Sequence, residues 1–238
     1  MKNKIASMEQ IMEKIHDGQT IMFSDAHGGQ AADEIIDAML KKGTKDITAV
    51  AITAGNPTEG VGKLIVAHRV KKIITTHTGF NPEAQKQMDT GELEIEYVPQ
   101  GTWVERMHCA AAGLGGCLTP TGVGTEVEIG KEKLTIDGKE YLLEKPIAAD
   151  IALLKATKAD KAGNIYFCMN SMLGHDTMAL AAKFPIFEVE EVVEIGDLGP
   201  DTIHIPAPIT GYVYLKKRPR EIPVMWKKLL SQMEGGKK

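Results

Sequence analysis

Between Thr20 and Gly113 the chain repeats one phrase four times: a β-prone apolar run, a turn of small or polar residues, then apolar residues at helical spacing. The runs are "TIMF" from Thr20, "ITAVAI" from Ile47, "KKIITT" from Lys71 and "LEIEYV" from Leu93. The turns are "SDAHGGQ", "TAGNPTEG", "HTGFNP" and "PQG". Alternation of this kind predicts a parallel sheet with helices on its faces, because each crossover must return over the sheet before the next strand can pair. In such a sheet the loops at the carboxyl ends of the strands gather along one edge, where ligands bind. Four separate stretches therefore converge on one crevice. Asn81 before Pro82 and Glu83 reads as a helix start, with Asn as cap and Pro in the first turn.

After Gly113 the texture changes. The stretch of about 114–147 is rich in Gly and Thr, with a hairpin turn expected at Asp137 and Gly138. The alternation then resumes through "IALLKA" from Ile151, a strand "NIYFCM" from Asn164, a helix through "TMALAAK" and a strand through "FPIFEVEEVVEI". The expectation is one α/β domain over 1–238: an open, mostly parallel sheet with helices on both faces and a small β-rich excursion. The basic tail of about 215–238 places Val224, Met225, Leu229 and Leu230 at helical spacing.

Composition narrows the function classes. A net charge of -4 leaves no electrostatic footprint for nucleic acid. No apolar run approaches the roughly 20 residues of a membrane span, and the charged start "MKNKIASMEQIMEKIHDG" is unlike a signal peptide, so the cytoplasm is expected. Cys109, Cys117 and Cys168 lack CxxC spacing, which argues for reduced structural thiols rather than a disulfide framework or zinc site.

Several motifs fail on inspection. "GNPTEGVGKL" contains a Gly62-Lys63 pair, but Pro57 stands where a phosphate loop needs its first Gly, and Leu64 where it needs Ser or Thr. "GLGGCL" from Gly113 lacks the third glycine of a dinucleotide fingerprint and follows a helix. The scattered histidines carry no metal-ligand spacing, so no metal is expected. Ser24, Asp25 and His27 are too close on one loop for relay geometry. Glu59, Glu83 and Glu105 fall near helix starts or on helix faces, where carboxylates serve the dipole and solvent. A crevice is legible, and no nucleophile within it.

The stretch "VPQGTWVERMHCAAAGLGGCLTPTGVGTEVEIGK" resembles the alpha subunit of class I CoA-transferases, of the acetate or butyrate and acetoacetate type. The resemblance extends through "VGKLIVAHRVKKIITTHTGFNPEAQKQMDTGELEIEYVPQGT", "EKPIAADIALLKATKADKAGNIYF" and "IFEVEEVVEIGDLGPDTIHIP", to about Pro206. It implies a half-enzyme: two related α/β halves build the site between them, and the nucleophilic glutamate lies in a Ser-Glu-Asn-Gly motif of the other half. No such motif occurs in this chain. The resemblance further implies a beta-subunit partner, commonly in an α2β2 assembly. Coenzyme A is then a substrate exchanged between an acyl-CoA and a carboxylic acid, with no permanently bound cofactor.

For this chain's share, the resemblance implies a CoA-binding loop over Ser24, Asp25, Ala26, His27, Gly28, Gly29 and Gln30. It also implies a substrate-orienting Gln100 beside Gly101, in the family's Pro-Gln-Gly-Thr motif at a strand end. The alternative for Gln100 is a helix cap. Gly55, Asn56 and Gly79 shape the crevice. The loop departs from the family pattern: Ser24, Asp25 and Ala26 replace Gly-Gly-Phe, Gln30 replaces a Gly and Ala32 a Pro. Met172 stands where relatives carry an arginine. Either Asp25 and His27 select a polar or amino-bearing 3-oxo acid, or short-chain acids such as acetoacetate, acetate and butyrate remain the substrates. A non-catalytic scaffold subunit, a sugar-phosphate isomerase and a ligand-sensing domain share the architecture as rival readings.

Overall fold

A computed structural model describes residues 2–24, 29, 31–168, 172, 174–219, 227 and 230–233. In chain order the elements are α1 (Met8–Met12), β1 (Thr20–Phe23), α2 (Asp33–Lys42), β2 (Ile47–Ala51), α3 (Gly60–Val66), β3 (Val70–Thr75), α4 (Pro82–Asp89), β4 (Glu94–Tyr97) and α5 (Gln100–Ala111). Then follow β5 (Cys117–Thr119), β6 (Lys133–Ile136), β7 (Lys139–Glu144), β8 (Ala149–Asp160), β9 (Ile165–Tyr166), α6 (His175–Ala181), β10 (Ala182–Val193) and β11 (Tyr212–Leu215).

The four repeated phrases become β1 to β4, parallel neighbours in sequence order. The chain then returns to the other side of β1, giving the parallel order β11-β10-β8-β1-β2-β3-β4. β1 is thus the point where the strand order reverses, the usual place for a ligand crevice. Strand periodicity splits the core into two layers. Ile21, Phe23, Ala49, Ala51, Ile151 and Leu153 face one layer with Ile35, Ile36, Met39 and Leu64 of α2 and α3. Met22, Val50, Ala152 and Leu154 face the other, against Trp103 and Met107 of α5 and Met178 of α6. Helices cover both faces, as the alternation predicts.

The β-rich excursion is a separate antiparallel sheet, β5-β7-β6. Its hairpin turns at Asp137 and Gly138, with φ of 51° and 75°, the left-handed pair that a two-residue turn needs. Arg106 fastens it to the main body: Nε donates to the Lys145 carbonyl at 2.7 Å, and Nη1 pairs with Glu96 of β4 at 2.7 Å. Burial raises the Glu96 carboxyl, but Arg106 and Lys72 outweigh it and hold the group below its ordinary value.

Two local expectations need correction. "NIYFCM" supplies only a two-residue strand, antiparallel to β8. Asn81 does occupy the cap position of α4, yet its fully buried side chain donates to the Ala54 carbonyl at 3.0 Å and ties two strand-end loops together. In the tail, Val224, Met225 and Leu229 lie outside the described residues.

Candidate functional site

The carboxyl ends of β1, β2, β3 and β4 lie side by side, because the strands are parallel neighbours. At the first, Ser24 is buried, and its N–H donates to the Leu153 carbonyl of β8 at 3.2 Å. Its Oγ accepts from the Lys155 N–H at 3.0 Å. The hydroxyl is thereby committed to the neighbouring strand. Further along, the Gly29 carbonyl accepts from Lys155 Nζ at 3.4 Å. Asp25, Ala26, His27, Gly28 and Gln30 lie outside the described residues, as do Asn170, Ser171 and Leu173 around Met172.

The second loop is built by its own polar groups. Gly55 takes a φ of 67°, and its N–H donates to Thr53 Oγ1 at 3.0 Å. Asn56 Oδ1 accepts from the Thr58 N–H at 3.3 Å. The close approach that a GK pair suggests has a packing cause. A Cβ on Gly62 of α3 would meet the Asn56 carbonyl oxygen at 1.9 Å, so helix and loop touch backbone to backbone. Lys63 pairs with Asp37 of α2 at 2.5 Å and with Asp33 at 3.1 Å. Burial works to lower the Lys63 ammonium, and the two aspartates overcome it and raise it. At the third loop, Thr78 Oγ1 and Tyr97 OH are 2.9 Å apart, joining the ends of β3 and β4. Gly79 is exposed, with open space where a Cβ would stand.

Gln100 differs from its expected setting. It is not the end of β4 but the first residue of α5, exposed, with Pro99 in the cap position and no side-chain cap. A helix start projects its side chain and its unsatisfied N–H groups outward. Gly101 lines a cleft of about 400 Å³ with Thr102 and Glu105 of α5 and Cys117, Leu118, Thr119 and Thr121 beyond it. Burial, with Cys109 beside it, pushes the Cys117 thiol up to about 11, far from a nucleophile's range. Three strand spacings separate the carboxyl end of β1 from that of β4, about 14 Å.

Sequence reasoning passed over the charged residues beneath the first loop. Lys155 and Glu188 are register partners on β8 and β10, and both are buried. Their signal was available: each interrupts an apolar run in a strand, where a charge needs a specific partner. Glu188 Oε2 accepts from the N–H groups of Glu34 and Ile35, at 2.9 and 3.2 Å, in the first turn of α2. Glu34 accepts in turn from Tyr214 OH at 3.0 Å and from the N–H groups of Lys217 and Arg218 at 3.0 and 2.6 Å. No group of three or more metal-ligating side chains occurs among the described residues. Among the same residues, no helix is long and apolar enough to cross a membrane.

The coenzyme A transferase family model matches residues 5–216. The chain belongs to that family. Its relatives include the acetate CoA-transferase subunit alpha of Escherichia coli strain K12, 40% identical over 217 residues that cover 91% of this chain and 99% of that one. The acetoacetyl-CoA:acetate/butyrate CoA transferase alpha subunit of Clostridium acetobutylicum is 38% identical over 213 residues, covering 90% and 98%. An acyl-CoA transferase apoenzyme from Escherichia coli O157:H7 superposes with a TM-score of 0.84 at 24% identity, a likeness of fold. It covers 90% of this chain but only 47% of that longer one, so this transferase chain spans about half the length of that structure.

Proposed function

We propose that this chain is the alpha subunit of a heteromeric CoA-transferase that moves CoA between a short-chain acyl-CoA and a short-chain carboxylic or 3-oxo acid in the cytoplasm. The observation carrying this reading is the pair of coverages: 99% of an alpha subunit, and 47% of an acyl-CoA transferase in one chain. A beta subunit supplies the other half and the nucleophilic glutamate.

In the proposed ping-pong sequence, that glutamate attacks the thioester carbonyl. CoA leaves as thiolate, and a mixed anhydride of glutamate and acid remains. The thiolate attacks the glutamyl carbonyl, releasing the first acid and leaving a glutamyl-CoA thioester, and the second acid then runs both steps in reverse. Both intermediates hydrolyse if wet, so the subunits close over them. This chain's part is to receive CoA on the loop from Ser24 to Gln30 and to orient the reacting carbonyl with Gln100. An exposed amide at a helix start donates to a developing oxyanion without adding charge. Gly55, Asn56 and Gly79 shape the floor between them. The span of about 14 Å between the carboxyl ends of β1 and β4 suits a long, flexible arm ending in the reactive sulfur.

The test is to assemble this chain with a beta subunit and assay CoA exchange from acetyl-CoA or butyryl-CoA to acetate, acetoacetate and amino-substituted 3-oxo acids. Activity is expected to need both chains, and Gln100→Ala is expected to lower kcat about 100-fold. Activity of this chain alone, or an unchanged kcat in the variant, refutes the assignment. A preference for the amino-substituted acids would give Asp25 and His27 the selecting role.

A further inference from the structure

Cys109 and Cys117 take no part in the proposed reaction, yet the fold brings them together. On α5, Gly101, Glu105 and Cys109 recur every four residues, so they share one stripe of the helix, running from the exposed Gly101 to the buried Cys109. β5 forms the facing wall of the cleft, with Cys117 and Thr119 on one side of the strand. The two walls meet at the cysteines. Cys109 is buried, Cys117 is half-buried and lines the cleft, and their thiols lie within hydrogen-bonding reach of each other. The turn between them is tight. The Leu114 N–H donates to the Cys109 carbonyl at 2.8 Å, Gly113 takes a φ of 69° and Gly116 a φ of 152°. A Cβ on Gly116 would meet the Glu144 carbonyl oxygen at 2.6 Å, so the backbone here accepts only glycine. The turn therefore fixes where Cys117 stands against the last turn of α5.

We propose that Cys109 and Cys117 form an oxidation site: a thiol pair that closes to a reversible disulfide and locks the two walls of the cleft together at its inner end. The oxidant is a low-molecular-weight disulfide. One cysteine sulfur, once ionised, attacks it, forming a mixed disulfide and releasing one thiol. The other cysteine sulfur attacks the mixed disulfide, forms the Cys109–Cys117 bond and releases the second thiol. The pair loses two protons and two electrons, and the oxidant takes them up as two thiols. Burial, the neighbouring Cys109 and the carboxylates of Glu144 and Glu105 make Cys117 hold its proton. That slows the attack and keeps the pair reduced until an oxidant is supplied. The locked helix is the one that Gln100 begins. An effect on turnover therefore rests on the orienting role of Gln100, whereas the bond itself does not.

The experiment uses the full chain in complex with the beta subunit, incubated with oxidised glutathione, alkylated and digested with trypsin. No Lys or Arg lies between Arg106 and Lys131, so both cysteines fall in the single peptide 107–131. That peptide is expected to be unalkylated and two hydrogen atoms lighter, and dithiothreitol is expected to restore it. Hydrogen exchange across 117–121 is expected to slow about tenfold on oxidation. The kcat for CoA exchange is expected to fall about tenfold, reversibly. Cys109→Ala should form no such bond and should keep its exchange rate and kcat in oxidised glutathione. Cys117→Ser, read in the same digest, gives the answer should the alanine variant fail to fold. Two alkylated thiols after oxidation, or glutathione held on Cys117 beside a free Cys109, overturns the proposal. So does a disulfide that leaves hydrogen exchange across 117–121 unchanged, because the walls would then not be locked. A complex that forms the bond but moves no CoA even when reduced refutes the functional reading alone.

Discussion

At the scale of single residues, Glu188 has the most to say about pH. Burial, reinforced by the charges of Glu34 and Asp33 on α2, pushes its carboxyl from 4.5 up to about 7, against the Ile35 N–H and Lys216, which favour the charged form. Tyr214, whose hydroxyl burial and Glu34 push up to about 12, adds no charge at neutral pH. The folded carboxyl therefore holds its proton more tightly than the unfolded chain does. Its contribution to stability is full below pH 4.5 and is lost as pH rises through 7, at most about 3 kcal/mol. Denaturant unfolding of the parent is expected to show a component that falls across this window, and Glu188→Gln should flatten it. An identical slope in the variant sinks the assignment. Lys155 and Glu188 were visible in the sequence as charges inside apolar runs, but which backbone groups they grip depends on strands far apart in the chain.

At the scale of elements, the periodicity of the sequence carried the strands and helices of the first half, because apolar spacing and turn residues agree there. It failed where two elements meet. Gln100 reads as a strand end since "PQG" looks like a turn, whereas Pro99 serves as the cap position and α5 starts at once. Asn81 reads as an ordinary cap, whereas burial against Ala54 gives its amide a longer-range partner. Gly62 makes the point testable. Gly62→Ala retains helix propensity but drives a methyl into the Asn56 carbonyl, so α3 and the β2 loop must part. A loss of about 1–3 kcal/mol in unfolding free energy is expected, where helix propensity alone predicts a gain of about 1 kcal/mol. A more stable variant would show that the two backbones can separate freely.

At the scale of the whole molecule, α2 is held from three sides: by Glu188 behind, by Lys63 of α3 beside, and by the segment after β11, where Arg218 Nη2 meets Asp37 at 2.7 Å. The family match stops at 216, two residues before that last contact. A chain ended at Lys216 keeps every strand but strips two N–H donors from the buried Glu34. Thermal unfolding should record a loss of roughly 3 kcal/mol, while restoring residues 217–219 should recover it. An unchanged midpoint would show that Glu34 finds other partners. None of this was legible beforehand, because the tail's sequence is basic and unremarkable until Glu34 and Asp37 are seen to face it. The kinship with CoA-transferase alpha subunits, by contrast, was legible through the resemblance.

The strand order also sets a timetable. β1 is made early, yet the strand that covers its second edge, β8, begins only at Ala149. On a ribosome adding residues at ordinary rates, that edge waits on the order of ten seconds for its partner. During that interval four strands exist with the buried apolar strand β1 bare along one edge, an open template for any other extended chain. Production of this protein is therefore most exposed to aggregation in the middle of its own synthesis, and slowing translation between Gly113 and Ala149 would lengthen the hazard.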